Sequence, residues 1–150
     1  MPVDDTTPTR LKGTPSWLIG QAAMHGHRIL TERFAAAGAR GYHYRLLAAL
    51  QEFGPASQAT LGRCTAIDRS DVVAALNELA AKGLIERSPD PDDRRRNIIT
   101  LTPAGADHLD HLTAALAEIQ DALLAPLSAP EREQLTHLLA RVVAHHTTRP

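Results

Sequence analysis

Residues 67–102 leave the chain little freedom: they read as a helix that must stop and turn straight into a hairpin. Asp68 stands at an N-cap position, and Ile67 before it and Val72 four places after it form a hydrophobic staple. Val72, Leu76, Leu79 and Ala80 recur at i, i+4, i+7 and i+8, the stripe of a helix with one buried face. Gly83 ends it. Residues 84–88 and 97–102 then read as two short strands, the second rich in β-branched side chains. The intervening Pro89-Asp90-Pro91-Asp92-Asp93 can neither be helical nor pair well, and is expected to be a protruding turn.

Helical signals flank this unit on both sides. Residues 1–13 are polar and rich in Pro and Thr, as in a loose arm. Thr14-Pro15 is a cap followed by Pro at the first helical position, and Leu18, Ala22, Ile29, Leu30 and Phe34 carry that helix to Gly38. A second helix runs from Tyr42 to Phe53 with Leu46, Leu50 and Phe53 on one face, stopped by Gly54-Pro55, and Ser57 caps a short helix over 58–64. Thr102-Pro103 opens a long helix of about 23 residues, roughly 34 Å. Its Leu109, Leu112, Leu116, Ile119 and Leu123 form a heptad-like seam that Pro126 ends. Ser128 and Glu131 make a capping box for a last helix striped by Leu135, Leu138, Leu139, Val142 and Val143.

A chain of 150 residues with 43% hydrophobic residues is enough for one folded domain. No apolar run approaches the ~18 residues needed to span a bilayer. Residues 1–5 lack the basic and apolar regions of a signal peptide, and the single Cys64 closes no intrachain disulfide. A cytoplasmic protein is expected. The net charge of −1 conceals an uneven distribution: fourteen of the sixteen basic residues are Arg, three of them consecutive at Arg94-Arg95-Arg96. A local basic projection on a neutral body suits an anionic partner approached from one side.

Three helices with a tight middle turn, followed by a two-stranded hairpin, make a winged helix-turn-helix, and the long helices at either end flank it. The fold expected is therefore mainly α with a small β-hairpin wing. Asp68-Arg69-Ser70-x-Val72, Leu79-x3-Gly83-Leu84-Ile85-x-Arg87, Asp90-Pro91-Asp92-Asp93-Arg94-Arg95 and Leu101-Thr102-Pro103-x-Gly105 occur in this order and at these spacings. In them the chain resembles the multiple antibiotic resistance regulator (MarR) family. The resemblance implies one domain over 14–150 after the arm at 1–13. Within it, 14–38 and 103–147 would be dimerisation helices and 42–102 the winged module, with recognition helix 68–82 and wing 84–102. It implies a homodimeric, ligand-responsive regulator, by resemblance a repressor, that binds double-stranded DNA at a pseudo-palindromic operator and needs no cofactor.

The reading surface follows partly from helical geometry. With Val72 and Leu76 inward, Ser70, Ala74, Asn77 and Ala81 turn outward. Arg69 and Asp71 flank that face in the first turn, the end that usually reaches base edges. Asn77 suits adenine, Val73 a thymine methyl and Asp71 a cytosine amine, although Asp71 is equally explained as a charge favoured at a helix N-terminus. Many family members carry Thr or Ser and then Arg where this chain has Val73 and Ala74, so base reading by this helix is expected to be weak and the wing to lead. Arg94, Arg95 and Arg96 suit a narrow minor groove and phosphates. By resemblance Arg94 enters the groove, with Asp92 steadying it across the turn. Ser57, Gln58, Arg63 and Arg69 are candidates for phosphates, which set register.

An effector cleft is implied by the resemblance, and Trp17, Tyr42, Tyr44 and Arg45 offer aromatic faces and a cation for a small aromatic or anionic ligand. Some relatives sense zinc, and His25, His27, His43, His108 and His111, with Glu32 or Asp107, are the candidate ligands here. Surface histidines are the competing explanation. Cys64 is expected to be a small buried filler. No phosphate loop, nucleophile elbow or His-Glu-x-x-His helix points to an enzyme. A winged module that has lost DNA binding and docks proteins is the remaining alternative.

Overall fold

The computed structural model describes residues 6–148. Its described elements run α1 (Thr9–Lys12), α2 (Pro15–Ala36), α3 (Gly41–Phe53), β1 (Ala56–Ser57), α4 (Gln58–Thr65), α5 (Arg69–Ala81), β2 (Ile85–Pro89), β3 (Asn97–Leu101), α6 (Pro103–Leu123) and α7 (Ala129–Thr147). The architecture is the mainly helical one expected, with a small antiparallel sheet. None of the described helices is long and apolar enough to cross a membrane.

The described part of the expected arm has structure. Residues 1–5 lie outside the described residues, but Thr9–Lys12 form a helical turn, and the Thr14 hydroxyl donates to the Arg10 carbonyl at 2.5 Å instead of capping α2. The sheet has three strands in the order β1-β3-β2, one more than expected. β1 is a two-residue strand whose Ala56 pairs with Ile99, tying the start of α4 to the hairpin. Pro89 belongs to the end of β2, opposite Asn97, and not to the turn. β2 is an edge strand, where a residue without an N–H is tolerated.

Phe34, Leu46, Leu47, Leu61, Val72, Leu76, Leu79, Ile99, Leu112 and Ile119 are the large side chains of the core, each less than 2% exposed. One core thus joins α2, α3, α4, α5, β3 and α6. Phe53 does not share it: at the end of α3, just before Gly54 turns the chain at φ 81°, it stays 67% exposed. The turn between α4 and α5 is made by Ala66 in the left-handed region at φ 55°, with its N–H donating to the Gly62 carbonyl.

α6 spends its seam within its own chain. Leu109, Leu112 and Ile119 are buried, and α2 runs antiparallel alongside, with Gly26 against Leu123 and Arg33 Nη1 3.0 Å from Glu118 Oε2. α7 is different. None of its residues is buried, and Leu138, Leu139, Val142 and Val143 remain 39–60% exposed. Leu18, Ile19 and Met24 on α2 are similarly exposed, so both chain ends present apolar helical surface.

The hairpin is fastened to α6 at its base. The Thr102 hydroxyl donates to the Gly83 carbonyl at 2.8 Å and accepts from the Gly105 N–H at 3.0 Å. Gly105 sits so close that a Cβ there would lie 2.1 Å from the Leu84 carbonyl oxygen and 2.7 Å from Leu101 Cδ1. Gly105→Ala should therefore cost about 2–3 kcal/mol despite alanine's better helix propensity, because backbone cannot yield as a side-chain tip does. A thermal melt should show a midpoint lower by about 10 °C; an unchanged midpoint would disprove the contact.

Candidate nucleic-acid interface

α4, the start of α5 and the tip end of the hairpin enclose a concave recess of about 740 Å³. Ser57, Gln58, Arg63, Arg69, Arg95 and Arg96 line it, so six of the side chains expected to meet DNA converge from three elements. The Ser57 hydroxyl is already used: it accepts from the Thr60 N–H at 3.2 Å, capping α4, and donates to Thr60 Oγ1 at 3.0 Å. Arg63 Nη2 donates to the same Thr60 hydroxyl at 3.2 Å. Four guanidinium groups around one concavity favour an anion there.

The wing tip is wired by two aspartates. Asp90, nearly buried, accepts the Asp92 N–H on Oδ1 at 2.9 Å and donates its own N–H to the Arg96 carbonyl at 2.9 Å. Asp93 Oδ1 accepts the Arg95 N–H at 3.1 Å. Arg95 lies 3.5 Å from Asp93, and Arg96 lies 3.6 Å from Asp90 and 3.7 Å from Asp93. Asp90 and Asp93, not Asp92, therefore order the tip, since a carboxylate two residues before an amide closes an Asx turn. Arg94 is exposed and, among the described residues, pairs with no carboxylate. Its charge projects uncompensated.

On α5 Ser70, Ala74, Asn77 and Ala81 are exposed and Val72 and Leu76 buried, as the helical period predicts; Val73 is exposed as well and Asp71 half-buried. Asp68 occupies the cap position, but its carboxylate accepts the Ser70 hydroxyl at 2.8 Å instead of capping the backbone. Asn77 Oδ1 accepts Arg87 Nη2 from β2 at 2.7 Å. Arg87 was visible only as part of the resemblance, and nothing local in the sequence ties it to Asn77.

A second tie holds α5 to α3. His43 is 2% exposed; its Nδ1 accepts the Arg40 N–H at 3.2 Å, so Nε2 carries the proton and donates to Glu78 Oε2 at 2.6 Å. Arg40 grips the same carboxylate through Nε at 3.0 Å and Nη2 at 2.8 Å. Burial pushes the His43 pKa below the ordinary 6.5, and neighbouring Arg40 and Lys82 add to this against the opposing pull of Glu78. For Glu78 burial acts upward, but the His43 hydrogen bond and the Arg40 charge outweigh it and hold the carboxyl below 4.5.

His43 is thus committed within the fold, and the other histidines are dispersed. His25 adjoins Gly26, which meets Leu123, whereas His108 lies fifteen residues earlier on α6, about 22 Å away along the axis. Among the described residues no group of three His, Cys, Asp or Glu side chains is placed to hold a metal ion. Cys64 is exposed, not buried, because Leu61 is the side chain that α4 turns inward. Of the aromatic effector candidates, Tyr44 packs on Phe34 at 6.1 Å and Tyr42 lies 5.6 Å beneath Arg45. Trp17, half-buried at the start of α2, joins neither pair.

Residues 39–96 match the model described as the MarR family. The transcriptional repressor NicR of Pseudomonas putida is 30% identical over 139 residues, covering 93% of this chain and 88% of that protein. The chain belongs to the MarR family. A probable transcriptional regulator from Pseudomonas aeruginosa is 38% identical with a TM-score of 0.78, covering 89% of this chain and 99% of the other. The structure of BpsR from Bordetella bronchiseptica, described for regulation of its DNA binding by 6-hydroxynicotinic acid, is 25% identical at a TM-score of 0.79, over 91% and 98% of the two chains. As a MarR-family member this is a DNA-binding transcription regulator and not an enzyme.

The His43 tie gives this MarR protein an acid-sensitive joint. A histidine whose folded pKa lies below 6.5 leaves the unfolded chain binding more protons, so its contribution is complete above about pH 6.5 and declines as pH falls below it. Burial lowers His108 in the same direction, and Glu78 adds a further loss below about 4.5. Denaturant titrations at pH 7.5 and 5.5 should show lower stability at 5.5, with the difference reduced, but not abolished, in His43→Gln. Equal stability of the parent protein at both values would rule this out.

Proposed function

We propose that two copies of this chain form a homodimeric, ligand-relieved repressor in the cytoplasm that grips a pseudo-palindromic operator, with α5 in the major groove and Arg94 of each wing in the minor groove. The observation that carries it is the distribution of charge: Arg94, paired with no carboxylate among the described residues, projects at a tip ordered by Asp90 and Asp93, beside a recess ringed by four arginines. An ordered tip presents its cation at little entropic cost, and narrow minor grooves concentrate negative potential. Arg63, Arg69, Arg95 and Arg96 then serve phosphates, with Ser57 and Gln58 at the start of α4 fixing register. Ser70, Asp71, Val73 and Asn77 supply the contacts to bases.

The exposed apolar surfaces of α2 and α7 support the homodimer. An amphipathic helix with no buried residue needs a partner, and a two-fold axis closes both surfaces at once. Two reading helices then face half-sites about one turn of DNA apart. A small aromatic or anionic effector near Trp17, Tyr42, Tyr44 and Arg45 need only alter their separation. If it binds the DNA-incompetent arrangement about 100-fold better, it shifts the equilibrium by about 2.7 kcal/mol. The relatives' names, a repressor and a protein regulated by a hydroxylated nicotinic acid, support repression and this ligand class.

Arg94→Ala should weaken binding to every duplex in a gel shift and lower the salt slope by about one unit; an unchanged affinity and slope would refute the wing-led reading. Sedimentation of the purified protein should give a dimer, which Val142→Glu with Leu138→Glu should convert to monomer without DNA affinity. A monomeric parent protein that binds operator normally would end the dimer reading.

A further inference from the structure

Arg87 of β2 crosses to α5 and donates from Nη2 to Asn77 Oδ1 at 2.7 Å. A free asparagine offers a base one acceptor and one amide donor, the pattern that matches adenine N7 and N6. Here one of the two lone pairs of that acceptor is occupied from within the protein, by a cation that stands beside the other. The Asn77 amide N–H groups and the spare N–H groups of the guanidinium outnumber the one lone pair that is left. Both residues are exposed, so the pair forms a surface patch dominated by donors.

The rest of the outward face of α5 does not supply the missing polarity there. Val73, Ala74 and Ala81 are apolar. Ser70, two turns away, has its hydroxyl proton committed to Asp68 Oδ2 at 2.8 Å and keeps only acceptor lone pairs. The face therefore carries acceptor character at its N-terminal end and donor character at Asn77, with apolar surface between. Guanine presents two adjacent acceptors, O6 and N7, in the major groove; adenine presents an acceptor beside an amine that a donor patch repels.

We infer that Arg87 is a specificity-determining residue: by holding the Asn77 carbonyl it makes this point of the recognition helix select guanine where an unpaired asparagine would select adenine. The inference rests on the reading of α5 as the major-groove helix. Selection from a pool of random duplexes by the full-length protein tests it, using the parent, Asn77→Ala, Arg87→Met and Arg87→Lys. The parent should enrich a symmetric motif with one guanine per half-site preferred about tenfold over adenine. Asn77→Ala should lose the preference at that position alone, Arg87→Met should turn it to adenine, and Arg87→Lys, which keeps a donor, should retain guanine. A motif unchanged by Asn77→Ala, or an Arg87→Met protein weakened equally on all sequences with the guanine retained, would overturn the assignment while leaving DNA binding by α5 intact. Failure of the parent to enrich any duplex would remove both readings.

Discussion

The close approach of Gly105 to the Leu84 carbonyl is the contact on which the rest of the molecule is registered. A backbone oxygen that would stand 2.1 Å from a side-chain carbon fixes how the first turn of α6 meets the start of the hairpin. Thr102 reinforces it, satisfying with a single hydroxyl the Gly83 carbonyl, just beyond α5, and the Gly105 N–H in the first turn of α6. Helix ends need such partners, and here one side chain serves two. Leu84 N–H completes the junction by donating to the Leu79 carbonyl at 3.0 Å. The orientation of the wing relative to α6 is consequently set by backbone geometry, not by adaptable side chains.

The aspartates of the wing explain how a chain of net charge −1 presents a cationic projection. Asp90 and Asp93 sit inside the turn, where they accept backbone N–H groups and lie near Arg95 and Arg96. Exposed ion pairs at 3.5–3.7 Å contribute little to stability. Their effect is instead to order three consecutive cations that would otherwise repel. Arg94, which pairs with no carboxylate among the described residues, keeps its charge available to act at a distance.

Much of this was legible in local sequence, and what was not involved partners distant in the chain. Proline after a threonine marked the start of α6, the Ser128–Glu131 box marked α7, and the period of Val72, Leu76 and Leu79 gave the inward face of α5 correctly. β1 was invisible because two residues carry no periodicity and pair only with a strand forty residues on. Asp68 looked like a cap because its position is one; that its carboxylate prefers the Ser70 hydroxyl depends on a side-chain choice that propensity does not encode. His43, thirty-five residues from Glu78, read as a metal candidate because one sequence shows a histidine's type but not its neighbour. Cys64 and Phe53 failed for a simpler reason: both end short or terminal helical turns, where the periodic rule has no following turn to bury them.

These long-range ties also determine how the module moves. α5 is held to α3 through the Arg40–His43–Glu78 cluster and to β2 through Arg87 and Asn77, and β2 continues from the Leu84 contact with α6. Hydrogen bonds to charged groups contribute about 1.5–3 kcal/mol each where they are sheltered, so sliding α5 within the module breaks several at once. A tilt that carries the first turn of α6 along with the module leaves all of these ties in place. A displacement arising between the long helices therefore reaches the reading surface as a change of tilt and spacing, with the hydrogen-bond polarity of α5 preserved.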